Sequence, residues 1–139
     1  MSLNINDEHI WNEFSEMLTQ INMDTIIREH LEKCDHKING YWHENDYYEE
    51  ISFLGSICGE LVSASLGITK SEHHQQNWIQ LKFLISSDTT TLRDRSISEY
   101  ETRIGELTLI FNSHMEFLDE KWLINIKSPF VATTKRVRP

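Results

Sequence analysis

Apolar positions recur at helical spacing through the first half of the chain and alternate at strand spacing through the second. Ile10, Phe14, Met17, Leu18 and Ile21 fall three or four residues apart, which puts them on one face of an amphipathic helix over about 7–22. Asn4 or Asn6 can cap it. Asp7, Glu8, Glu13 and Glu16 lie mostly on its other sides, the earliest of them well placed against the helix dipole. A second helix is predicted from a cap at Asp24, with Ile27, Leu31 and Cys34 on its stripe and Asn39-Gly40 ending it. Residues 37–45 (KINGYWHEN) read as either a loop or a short strand. A third helix is predicted from Asp46, with Glu49 three residues on in a near capping-box arrangement. Tyr47, Ile51, Leu54, Cys58, Leu61 and Val62 form its stripe, which makes Cys58 a core thiol, and Gly67 stops it. Gly55 and Gly59 inside this helix would each cost roughly 1 kcal/mol relative to Ala. Either a close crossing with another element or a break in the helix accounts for them.

The period changes near residue 76. Ile79, Leu81, Phe83 and Ile85 alternate with Gln80 and Lys82, as on a strand with one buried face. Residues 86–96 are polar and read as a loop. A strand-like run follows from Ile97 to Phe111, its apolar face carried by Tyr100 and Ile104 and then by Leu107, Leu109 and Phe111. The parity reverses at Gly105, which fits a β-bulge or a tight turn. Residues 116–126 predict a hairpin turning at Asp119-Glu120, with Trp122, Ile124 and Ile126 on one face. The basic end, Lys135-Arg136-Val137-Arg138, reads as a frayed tail.

Three helices followed by three or four antiparallel strands predict an α+β fold, with the helices packed on one face of a curved sheet. The expected organisation is a single domain over 1–139, helical at 5–68, strand-rich at 76–131 and ending in a basic tail at 132–139. The segment Glu116–Ser128, EFLDEKWLINIKS with its Trp122, resembles the last hairpin of the nuclear-transport-factor-2 type of fold. That resemblance implies an alternative architecture, a cone around an internal pocket, and a small enzyme or ligand-binding protein as the corresponding function. In such a pocket His114, Tyr100 or Glu101 would serve as acid, base or hydrogen-bond donor.

Charge sharpens the picture. Residues 1–60 carry thirteen Asp/Glu against three Lys/Arg, a net of −10, and residues 61–139 carry nine against ten, so the −9 of the whole 139-residue chain resides in its first half. Acidity on this scale argues against direct contact with nucleic-acid phosphates or anionic membranes. It suits long-range attraction of a basic protein. No apolar run approaches the roughly 20 residues of a membrane span, and the N-terminus lacks the basic and apolar regions of a secretory signal. With two cysteines, Cys34 and Cys58, the chain holds too few for a disulfide framework, and a cytoplasmic setting is expected. No cofactor is expected.

Three groups of residues carry chemical interest. His30, Cys34, His36 and His43, with Asp35 and Glu44 nearby, have the residue types of a divalent-metal site, but their spacing matches no structural-zinc pattern. His73-His74 and His114 flank predicted strands without a triad, a nucleophile elbow or a phosphate loop around them. Residues 41–50, YWHENDYYEE, interleave Tyr41, Trp42, Tyr47 and Tyr48 with Glu44, Asp46, Glu49 and Glu50. Aromatic anchors in an acidic setting are what an interface with a cationic partner uses. Half of these aromatics are expected in the core and half on the surface, with the carboxylates exposed. The expected function is therefore a non-catalytic acidic binding protein that inhibits or escorts a basic protein partner. Its size and charge are those of bacterial immunity proteins and phage-encoded inhibitors, and a homodimer through an exposed edge at Trp78–Ile85 is compatible with the pattern.

Overall fold

A computed structural model describes residues 8–88 and 102–135. Two helices, α1 (Glu8–Thr19) and α2 (Met23–Lys33), precede seven strands: β1 (Lys37–His43), β2 (Asp46–Phe53), β3 (Ile57–Ser71), β4 (His74–Ser87), β5 (Arg103–Asn112), β6 (Phe117–Ile124) and β7 (Val131–Lys135). The class is α+β. In place of one curved sheet there are two antiparallel sheets, one in the order β1-β2-β7 and the other β3-β4-β5-β6. No helix among the described residues is long and apolar enough to cross a membrane.

The third predicted helix does not form, and its residues build β2 and β3 instead. The helical spacing of its apolar residues has a strand explanation. A register irregularity at Tyr48/Glu50 lets both Tyr48 and Ile51 turn inward, three residues apart. Gly55 sits at φ 79° in the connection to β3, and a second irregularity at Leu61/Ser63 inserts one more residue. Irregularities in a two-residue period counterfeit a period of three or four. Cys58 accordingly lies exposed on β3, outside the core.

Helix α2 starts two residues earlier than expected. Asn22 is its cap, and the Asn22 side chain accepts from the Thr25 N–H at 3.1 Å. It ends at Cys34, before Asn39-Gly40. Asp35 (φ 56°) and His36 (φ 55°) turn left-handed there, and the His36 N–H returns to the Leu31 carbonyl at 2.8 Å. Residues 37–43 are a strand, in which Gly40 adopts φ 78°. Helix α1 buries no residue fully, with Met17 and Leu18 packing partly against the core. Its proposed caps lie outside the described residues.

Within the larger sheet, β4 and β5 follow their sequence pattern closely. Ile79, Leu81, Phe83 and Ile85 are buried on one face of β4, opposite Leu107, Leu109 and Phe111 of β5. The register shifts where Ile85 pairs with Gly105 and Ser86 with Arg103. The bulge at Gly105 thus turns both Ile104 and Leu107 inward. Tyr100 and the residues from Ile97 to Glu101 lie outside the described residues. β4 is flanked on both sides, so Trp78–Ile85 is not a sheet edge. Asp119 and Glu120 lie within β6 instead of forming a turn, and the chain turns before β6, at Ser113-His114. Part of the expected basic tail forms β7, which pairs with β2 from Tyr48 to Phe53.

Ile27 and Leu31 of α2, Ile38, Tyr48, Ile51 and Val131 of the smaller sheet, and the inward residues of the larger sheet form one apolar cluster. Gly59 admits α2: a Cβ there would lie 2.3 Å from Ile27 Cδ1. The sheets are also joined by Tyr41, whose hydroxyl accepts the Ile124 N–H at 2.9 Å, and by Phe53 against Trp122, with ring centroids 5.5 Å apart.

Candidate functional site: the β1–β2 hairpin and its support

Residues 41–50 form the end of the β1–β2 hairpin, with His43 opposite Asp46 and a turn at Glu44-Asn45. Glu44 holds φ 54°, a left-handed conformation that costs a non-glycine residue about 1–2 kcal/mol. Trp42 faces Tyr47 across the strands, their rings 5.0 Å apart and tilted by 52°. Trp42 is 67% exposed, an unusual position for so large an apolar surface. Tyr47 is half-buried, and its hydroxyl folds over the bare backbone of Gly40, 2.9 Å from where a Cβ would stand. Tyr48 and Tyr41 turn the other way. Tyr48 enters the core and Tyr41 anchors the hairpin to β6. The four aromatics thus divide between core and surface.

The carboxylates are not equivalent. Asp46 accepts from Lys135 Nζ at 2.9 Å, and Glu50 lies 3.4 Å from Lys37 Nζ, so both are partly exposed members of ion pairs within the chain rather than unpaired charges. The Asp46 contact raises the pKa of the Lys135 ammonium, first through the hydrogen bond and then through the carboxylate charge. Glu44 and Glu49 are exposed, and Glu44 lies 4.0 Å from His43 Nε2. Among the carboxylates of residues 41–50, these two are the ones turned toward solvent.

The histidines separate. His30, 9% exposed, reaches from α2 to Glu120 on β6, and its Nε2 bonds Glu120 Oε2. Trp122 Nε1 donates to the same oxygen at 3.1 Å. The His30 ring packs between Phe117 and Trp122, at 5.2 and 6.4 Å. Cys34 Sγ donates to the His30 carbonyl at 3.1 Å. Burial raises the thiol pKa, and the charge of Glu120 raises it further, so the neutral thiol is favoured. His36 sits in the α2–β1 connection and His43 on the hairpin. Among the described residues no three His, Cys, Asp or Glu side chains converge in a way that could hold a metal ion. His114 is exposed in the β5–β6 turn, and Glu101, like Tyr100, lies outside the described residues.

The His30–Glu120–Trp122 cluster was not legible from spacing, because ninety residues separate its first two members. Its only signal was the alternation that places Glu120, Trp122 and Ile124 on one face of a strand. A cleft of about 290 Å³ runs between this cluster and the hairpin, lined by Cys34, Lys37, Gly40, Tyr41, Glu120 and Trp122. No protein-family model, curated protein or solved structure matches the chain.

Proposed function

We propose that this chain is a non-catalytic acidic binding protein whose β1–β2 hairpin captures a basic protein, inhibiting or escorting it. The observation that carries the reading is Trp42, two-thirds exposed and in tilted ring contact with Tyr47, on a hairpin end that also carries the exposed Glu44 and Glu49. An exposed Trp supplies a large anchor area at small entropic cost, and flanking carboxylates orient a cationic surface against it. The net of −10 on residues 1–60 adds long-range attraction. Asp46 and Glu50 act differently in this reading. Asp46 ties the hairpin to Lys135 of β7, Glu50 pairs with Lys37 within the hairpin, and only Glu44 and Glu49 are directed to the partner.

The ligand-binding cone has less behind it. Phe83, Leu81, Ile85, Leu107 and Leu109 are fully buried on the inner face of the larger sheet, the open cleft of about 550 Å³ beside Ile27, Leu31 and Phe53 does not include His114, and His114 faces solvent. The test is co-purification from the native host in moderate salt, comparing the wild type with Trp42→Ala and with Glu44→Lys/Glu49→Lys. The expected result is a basic protein retained by the wild type and lost from both variants, with unchanged circular dichroism. Retention of the same partner by the charge-reversed protein would overturn the assignment.

A further inference from the structure

The free edge of β3 is the second feature without an internal explanation. This strand runs for 15 residues at the border of the larger sheet, and among the described residues it pairs only with β4. Among the described residues nothing covers its outer side beyond Gly59, where α2 crosses. Natural edge strands are blunted by charge, proline or brevity. From Leu61 to Thr69 this one contains neither charge nor proline. It also presents apolar surface, with Val62, Leu66 and Ile68 between 51% and 62% exposed. Leu66 and Ile68 share the face of Ile79 on a part of the hairpin that outruns β5, whose pairing stops at Trp78. Two strands alone are marginal in water. This arm is nonetheless held in shape: Trp78 lies flat on Gly67, where a Cβ would stand 1.8 Å from the ring, and its Nε1 donates to Thr69 Oγ1 at 3.1 Å. An ordered, uncharged, apolar edge is a preformed template for another strand.

We infer that the occupant is a second copy of this chain, joined by antiparallel β3–β3 pairing centred on Ser65. The sequence is self-complementary about that residue. Glu60 and Lys70 stand five residues to either side, Val62 and Ile68 three, Ala64 and Leu66 one. Pairing about Ser65 therefore brings the exposed apolar residues together, and beyond the irregularity at Leu61/Ser63 the strand end that carries Glu60 lies near the end of the mate that carries Lys70. It sets the small Ser63 against Gly67, and extends two four-stranded sheets into one of eight. The interface is isologous, as a two-fold dimer requires. A strand donated by an unrelated protein would need none of this internal symmetry. The surface is distinct from the β1–β2 hairpin, so the inference does not depend on the partner-binding reading.

Sedimentation equilibrium of the full chain tests it. The wild type is expected at twice its 16.4 kDa at micromolar concentration. Ser65→Lys, an exposed position where two copies would oppose like charges, is expected to sediment as a monomer with an unchanged far-UV spectrum. In a Cys34→Ser/Cys58→Ser background, Ser65→Cys should oxidise to a covalent dimer, whereas Ser63→Cys, which faces Gly67 in the mate, should not. A monomeric wild type would overturn the inference and leave the edge to a different chain. A dimer that survives Ser65→Lys, or equal cross-linking at 63 and 65, would overturn it as well.

Discussion

Replacing Glu120 by alanine removes one acceptor oxygen from two donors at once. His30 Nε2 and Trp122 Nε1 both bond Glu120 Oε2, and their residues are only 9% and 8% exposed. A buried polar group left without a partner costs about 1–3 kcal/mol. Glu120 itself is 37% exposed, so water entering behind the truncated side chain satisfies part of the demand. The low end of the range for each donor gives about 2–3 kcal/mol in all. With a urea slope of about 1–3 kcal/mol/M, the unfolding midpoint should fall by about 1 M. Glu120→Gln keeps one acceptor oxygen and should lose about half as much. His30→Phe fills the ring's place between Phe117 and Trp122 without a donor, so in that background Glu120→Ala should be less damaging by about 1 kcal/mol. Urea unfolding of the four proteins of this cycle, followed by Trp fluorescence, measures both quantities. A loss under about 0.5 kcal/mol for Glu120→Ala, or strict additivity with His30→Phe, would refute the view that this cluster pins α2 to the larger sheet.

Other outcomes follow from the same geometry. A Cβ at Gly105 would stand 2.0 Å from the Leu123 carbonyl oxygen, a backbone atom that cannot rotate away, so Gly105→Ala should cost about 3 kcal/mol or more in the same unfolding assay. Gly55 has open space but φ 79°, and Gly55→Ala should lose only about 1 kcal/mol. The Cys34 and Cys58 thiols both have pKa values raised above the ordinary 9.0, Cys34 mainly by burial and Cys58, although exposed on its strand, by partial desolvation of its sulfur and then by the charges of Asp88, Asp24 and Glu60. Alkylation of the folded protein by iodoacetamide should therefore be slow at pH 7.5 and still accelerating above pH 9. Because the unfolded thiols ionise first, their contribution to stability is intact below the unfolded pKa and is lost as pH rises through the folded one. Glu120→Gln should speed alkylation at Cys34 by removing the nearby negative charge, and a rate unchanged from wild type would count against that coupling.

Helices α1 and α2 and strand β4 were legible in the sequence, and irregular features were legible only where a glycine marked them, whereas β6 was read with a turn inside it and β7 as a frayed tail. The alternation from Ile79 to Ile85 and the parity reversal at Gly105 gave β4 and the β5 bulge, because burial on one face imposes period two. Residues 46–67 failed by the same logic. Two register irregularities and a left-handed Gly55 broke that period into spacings of three and four. The weight of Tyr, Ile and Val, which favours strands, was the better guide there. At the candidate site, the local content of residues 41–50 could be read, since a two-residue turn brings neighbours in sequence together in space. The division of labour among its carboxylates could not. Lys135 reaches Asp46 from the far end of the described chain, and no local pattern encodes that contact.

The placement of β7 bears on how the molecule is made and how it opens. In the larger sheet every strand pairs with its neighbour in sequence, and β1 pairs with β2 in the same way. β7 alone closes a long loop, setting Lys135 against Tyr48. On a ribosome, the hairpin and the larger sheet can assemble while β2 still waits with one side unpaired. Closure is then the last step, and it carries the largest loop entropy. In the finished protein, the reverse step is the natural first opening. Release of five residues would bare β2 and unpair Asp46 while leaving the larger sheet intact. Amide exchange should therefore begin at β7, alongside β2 of the hairpin that carries Trp42.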